Sequence, residues 1–288
     1  MEPPKTISLL LHEIVFGSFL LSMGIRVSLA RGLGTGDALL YVALLGISGL
    51  LVCLTRTVAS EWTWRLRLGY YPLAMNIVYL HLGRVIPLIH PTLEDAWLQR
   101  MDAWLIGANL SVRLQAIIQP ILTEFFSFSY LLFLPYLTLS MLWYLAGELR
   151  LLKKFYSGLF TLYGLGFLGY TLVPALGPYL AMSSQFNVPL NGWWFTQWNA
   201  QVVGHYSNRV DVFPSLHCAV SSYLLFFDLL HKKWRFRFYA LPCVGLWIST
   251  LYLRYHYFVD LVVGFPLGAF CLWLVERGWG KDEIACRT

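Results

Sequence analysis

The sequence predicts an all-α, polytopic transmembrane helical bundle, and three observations predict it. Of its 288 residues, 58% are hydrophobic and only 12% are charged, about half the charge of an ordinary soluble domain. Mean hydropathy is +0.60. The apolar residues fall into blocks of about 17–25, the length that crosses roughly 30 Å of hydrocarbon. Within a bilayer every backbone amide needs an internal partner, so blocks of that length are helices.

Eight spans are expected, near 7–29, 37–55, 68–90, 122–146, 155–175, 215–231, 237–253 and 257–275. The start, MEPPKTISLLLHEIVFGSFLL, lacks the basic beginning and small-residue cleavage site of a secretory signal and reads as a retained first span. The cluster Gly32-Leu33-Gly34-Thr35-Gly36 follows no strand, so it reads as a connector and not as a dinucleotide loop. Residues 1–60 supply two N-terminal helices. Residues 61–280 form a six-helix unit with interfacial helices in its long loops, and 281–288 a cytoplasmic tail.

The basic residues orient the chain. With the N-terminus inside, the inner segments hold Lys5, Arg56, Arg65, Arg67, Arg150, Lys153, Lys154, Lys232, Lys233, Arg235, Arg237, Arg277, Lys281 and Arg287. Arg26, Arg31, Arg84, Arg100, Arg113, Arg209 and Arg254 fall in the outer half. A two-to-one inner bias predicts cytoplasmic termini. The net charge of +6 is spread through short connectors and forms no single stripe, so no nucleic-acid partner is expected. Five cysteines without a CxxC pair give neither a disulfide framework nor a zinc ribbon.

The long connectors, 91–121 and 176–214, are both outer. In the first, Leu93, Trp97, Met101, Trp104 and Leu105 share a helical face, as in a helix lying among the headgroups. Glu94, Asp95 and Asp102 read as its solvated face, or as ligands of a polyol head group. In the second, Trp193, Trp194 and Trp198 suit the membrane–water boundary. Gly164, Gly264 and Gly268 read as close contacts between helices.

Ionisable groups at membrane depth tend to mark function. Phe213-Pro214-Ser215-Leu216-His217 opens the sixth span, with Ser215 as N-cap and His217 in a first turn whose free N–H groups favour an anion. His256-Tyr257-Phe258-Val259-Asp260 opens the eighth. At i and i+4 the carboxylate can take the proton of one imidazole nitrogen and leave the other with a lone pair. One inward and one outward crossing separate the two sites, so both lie on one face. Arg209 and Arg254 lie nearby. Two imidazoles, a carboxylate and guanidinium groups meet the needs of phosphoryl transfer, which are in-line positioning, a proton donor and cations on the phosphoryl oxygens.

Phe213-Pro214-Ser215-Leu216-His217 and Ser249-Thr250-x5-His256-x3-Asp260 resemble the second and third signatures of the type-2 phosphatidic acid phosphatase superfamily, Pro-Ser-Gly-His and Ser-Arg-x5-His-x3-Asp. Leu in place of Gly is closer to the inositol phosphorylceramide synthase and sphingomyelin synthase branch. Met101-Asp102-Ala103-Trp104-Leu105-Ile106-Gly107 and Pro174-Ala175-Leu176-Gly177-Pro178-Tyr179 are similar to segments of the inositol phosphotransferase branch. The resemblance spans about 90–275. It implies that His256 attacks phosphorus and becomes a phosphohistidine, that Asp260 orients it, and that His217 protonates the leaving oxygen. It implies no metal and no cofactor.

The family's first signature, Lys-x6-Arg-Pro, is missing, and Thr250 replaces the Arg of the third. Phosphate ligands are therefore sought at Arg254, Ser215, Arg209, Arg84 and Tyr179, and head-group or acceptor contacts at His81 and Asp102. The expected function is lipid phosphotransfer from a membrane lipid donor to a lipid or polyol alcohol, with the active site on the extracytoplasmic face. With water as acceptor the same site makes a phosphatase. A transporter or scramblase, and a scaffold that has lost activity, are alternatives of other classes.

Overall fold

A computed structural model describes residues 9–277. Lys5, Lys281, Arg287 and the tail 281–288 lie outside the described residues, as does the beginning of the first span.

Three long helices come first, α1 (Leu11–Arg31), α2 (Gly36–Thr57) and α3 (Glu61–Ile89). The short α4 (Asp95–Ile106) and α5 (Leu110–Arg113) follow. Next come α6 (Pro120–Leu131), α7 (Phe133–Ala146) and α8 (Leu149–Leu172), then α9 (Pro178–Ala181) and α10 (Trp194–Tyr206) in the second long connector. The chain closes with α11 (Leu216–His231), α12 (Lys233–Tyr252) and α13 (Phe258–Arg277). No strand occurs among the described residues. The fold is an all-helical, polytopic bundle, and over the described residues each of the eight expected spans overlaps helix.

Among the described residues, five helical segments are long and apolar enough to cross a membrane: α1, α2, α3, the α6–α7 pair and α13. The apolar α11 is shorter, at 16 residues. Basic first turns on α8 and α12 dilute two helices of 24 and 20 residues. Leu132 breaks the α6–α7 span because Pro135 has no N–H to donate one turn back.

The connector expected before the third span is much shorter than its charge suggested. Ser60 caps α3 through the amide of Thr63 at 3.1 Å, so Arg65 and Arg67 are helical. Arg67 is buried and paired with Glu13 of α1. Helix α1 packs along α2 and α8. Helices α11 and α13 lie so close that a Cβ on Gly264 would come within 2.7 Å of the Ser215 carbonyl, and one on Gly268 within 2.5 Å of the Ala219 carbonyl. That contact brings the start of α11 against the start of α13.

Candidate active site

The α11–α13 contact places the two sequence motifs together. Ser215 is the N-cap of α11: its Oγ accepts from the Cys218 amide and its own N–H donates to the Asp260 carbonyl at 3.1 Å. His217 therefore projects from the first turn of α11. His256 precedes α13 in a tight corner, where the amides of Tyr255 and His256 both donate to the Thr250 carbonyl, at 2.9 and 3.1 Å. Thr250, in the place of the family's arginine, is buried, and its hydroxyl donates back to the Trp247 carbonyl.

His256 Nδ1 lies 3.3 Å from Asp260 Oδ2, and the same oxygen accepts from the Tyr257 amide at 2.7 Å. That oxygen already accepts from an amide, and as an acceptor it takes the Nδ1 proton, which leaves Nε2 the lone pair of a neutral ring. That Nε2 faces His217 Nδ1 at 3.4 Å. Burial pushes His256 down to about 4, and the nearby Asp211 carboxylate and Val212 carbonyl act against that shift. Its imidazole is thus neutral at pH 7, with the Nε2 lone pair directed at His217 Nδ1.

The pair opens on a cavity of about 620 Å³. Its walls are mostly apolar and descend past Phe133, Leu137 and Met141 of α7 and Tyr163 and Phe167 of α8. Asn76 of α3 and Leu134 and Thr138 of α7 line it and are exposed, so it opens sideways between α3 and α7. Helix α10 covers part of the other end. Glu124 of α6 pins its start by accepting from the amides of Trp193, Phe195 and Thr196 at 2.7, 2.6 and 3.1 Å. Trp193, Trp194 and Trp198 are exposed there, as boundary residues would be.

Three of the proposed phosphate ligands line the cavity: Arg254, Arg209 and Tyr179. Both arginines have left-handed backbones, with φ of 68° and 61°, a strained state for a side-chain-bearing residue that clusters at functional sites. The Arg254 carbonyl accepts from the Tyr179 amide at 2.7 Å. Its guanidinium stacks 4.2 Å over Phe186 and donates to the Val188 carbonyl, while its buried Nε has no hydrogen-bond partner among the described residues.

The remaining candidates are placed elsewhere. Arg84 and His81 do not line the cavity; they surround Asp37 of α2, at 3.2 and 3.3 Å. Ser215 is fully buried in its capping role. Asp102 does not line the cavity: it is buried and accepts from the amides of Phe258 and Val259 at 3.0 and 2.9 Å, capping α13. Asp95 is buried too and accepts from the amides of Leu176 and Gly177 and from the Tyr257 hydroxyl, each at 2.9 Å. The face expected to be solvated is thus the face that docks, with Leu98 fully buried between the two acids. Trp104 instead is 77% exposed.

Several cavity residues escape a sequence reading. Tyr130 and Phe133 hold the His217 ring between them, with centroids at 4.7 and 4.6 Å; both lie in an unbroken apolar block that marks neither. Asp211 accepts from the Tyr79 hydroxyl at 2.6 Å and from Ser207 at 3.3 Å. Its signal was present, an acid six residues before His217 in a segment otherwise apolar or neutral apart from Arg209.

A family model described as the PAP2 superfamily matches residues 96–274. Comparison with curated proteins and with solved structures gives no match.

Proposed function

The chain belongs to the PAP2 superfamily, and from that membership we propose that it is a lipid phosphotransferase, moving a phosphoryl or phosphorylated head group from a membrane lipid to an alcohol. The His256 Nε2 lone pair attacks phosphorus, and the P–O bond to the lipid breaks as the N–P bond forms. His217 gives its proton to the departing oxygen and then takes one from the incoming alcohol, which attacks phosphorus and releases His256. Asp260 holds the tautomer, and Arg254 faces the phosphoryl oxygens with its unpaired Nε. The site lies on the extracytoplasmic face in this reading, with both termini cytoplasmic.

One observation carries the lipid part of the reading. The histidine pair stands at the polar end of a largely apolar cavity that opens sideways between α3 and α7, as a substrate that keeps its chains in hydrocarbon would require. Transfer is preferred over hydrolysis on the resemblance of Leu216 and the His256-Tyr257-x-x-Asp260 form to the synthase branch; water in the acceptor position turns the same site into a phosphatase.

The test is to incubate the purified protein with a panel of lipid phosphates and phospholipids, with and without alcohols, and to identify products by mass. A new phosphodiester marks transfer and free phosphate marks hydrolysis. His256→Ala should lower turnover by roughly 10³-fold or more without changing the thermal unfolding profile. Full activity in that variant would overturn the mechanism.

A further inference from the structure

The three bases at the outer ends of α1 and α3 are not idle. Arg31, His81 and Arg84 converge on one buried carboxylate, Asp37, at 3.0, 3.3 and 3.2 Å. A single carboxylate neutralises one guanidinium, so the group keeps surplus positive charge. It is also accessible: the Arg31 and Arg84 side chains are 42% and 66% exposed, whereas that of Asp37 is 6% exposed. A buried anion with two exposed cations at its rim can receive a second anion.

Beneath this cluster lies a separate groove between α1 and α2, of about 510 Å³. Its lining includes Leu21, Ile25, Leu29 and Leu33 of α1 and its following turn, and Val42 of α2, all of them exposed on the outside of the bundle, with the half-buried Ser28 among them. Gly32, next to Arg31, and Tyr41, one turn after Asp37, also line it and join groove to cluster. The Tyr41 ring meets His81 edge-on at 5.6 Å, and its buried hydroxyl has no hydrogen-bond partner among the described residues.

We propose that the α1–α2 groove binds an anionic glycerophospholipid, with its phosphate on Arg31 and Arg84 and an acyl chain against the leucines below. Guanidinium pairs suit a phosphate diester because their forked donors match its oxygens. The apolar groove supplies what a free anion could not use. A zwitterionic lipid of equal chain length carries its own cation and gains less from the surplus charge. The site is distinct from the histidine cavity and does not depend on the enzymatic reading.

The test uses the full chain in detergent. Thermal unfolding and native mass spectrometry are measured with dioleoylphosphatidylglycerol, with dioleoylphosphatidylcholine, and with inorganic phosphate. The phosphatidylglycerol should raise the unfolding temperature and remain bound at concentrations where the phosphatidylcholine does neither. Arg31→Ala with Arg84→Ala removes the charges, and Ser28→Trp fills the groove while leaving them. Each should weaken phosphatidylglycerol binding roughly tenfold or more. Should the double variant not fold, because Asp37 is left buried and unpaired, Ser28→Trp decides alone. Equal stabilisation by both lipids, equal stabilisation by phosphate alone, or undiminished phosphatidylglycerol binding in either folded variant overturns the proposal.

Discussion

His256 Nε2 and His217 Nδ1 stand 3.4 Å apart, within hydrogen-bond reach of each other. An attacked phosphorus sits about 3–3.5 Å from its nucleophile, with the leaving oxygen beyond it, so both rings cannot keep this contact during reaction. The His217 side chain has no other hydrogen bond among the described residues; its ring rests between Tyr130 and Phe133. Rotation therefore breaks one polar contact and keeps the apolar ones. A structure with vanadate bound should show the two nitrogens beyond hydrogen-bond distance and the His217 ring turned toward an equatorial or apical oxygen. Vanadate on His256 with the pair still at 3.4 Å would remove His217 from the proton transfer.

The pH profile should carry the mark of burial. In the proposed mechanism His256 is a neutral nucleophile, and burial brings it down to about 4, with Asp211 opposing that shift. Activity should therefore hold as pH falls through the ordinary histidine range near 6.5, and decline only as His256 is protonated further down. Asp211→Asn removes a negative charge that favours the imidazolium, so the acid limb of kcat/KM should move to still lower pH. An unshifted limb, or one displaced upward, would show that Asp211 does not act on His256.

Much of this arrangement was legible because local rules and the bilayer agree. Apolar blocks of bilayer length gave the long helices, and proline followed by serine before an apolar run located the start of α11. The four-residue spacing of His256 and Asp260 survives because it requires only one turn of backbone. What the sequence hid depends on long-range packing. Nothing local distinguishes Arg84, which pairs with Asp37, from Arg254, which lines the cavity; both are arginines near the end of an apolar block. Asp95 and Asp102 looked solvated because carboxylates usually are. They are buried because two helix ends elsewhere in the chain supply unpaired amides for them.

That capping role makes Asp102 a stability residue with an indirect effect on turnover. Its two oxygens satisfy the first amides of α13, the helix that carries Asp260. Asp102→Ala leaves both amides buried without partners and should cost about 1–2 kcal/mol, read as a lower unfolding temperature. Because α13 starts two residues after His256, kcat should fall with it. Asp102→Asn retains one acceptor and should recover part of both losses. A change in head-group preference without any loss of stability would instead restore Asp102 to substrate recognition.

The cavity's depth makes a prediction about chain length. From Phe133, against His217, to Met141 is eight residues of α7, or about 12 Å at 1.5 Å per residue. Leu137 lies midway, buried in the wall and one turn from each. A tryptophan there adds bulk to the cavity wall one turn of α7 away from Phe133 and the His217 ring it holds. Leu137→Trp should therefore leave turnover of short-chain donors near the parent value and lower kcat/KM for long-chain donors by roughly tenfold, the effect of obstructing an apolar pocket by a few kcal/mol or less. Comparing di-octanoyl with di-oleoyl donors in mixed micelles measures the ratio. Equal losses on both donors would mean that the chains do not enter this cavity, and the lateral opening between α3 and α7 would then have no part in substrate binding.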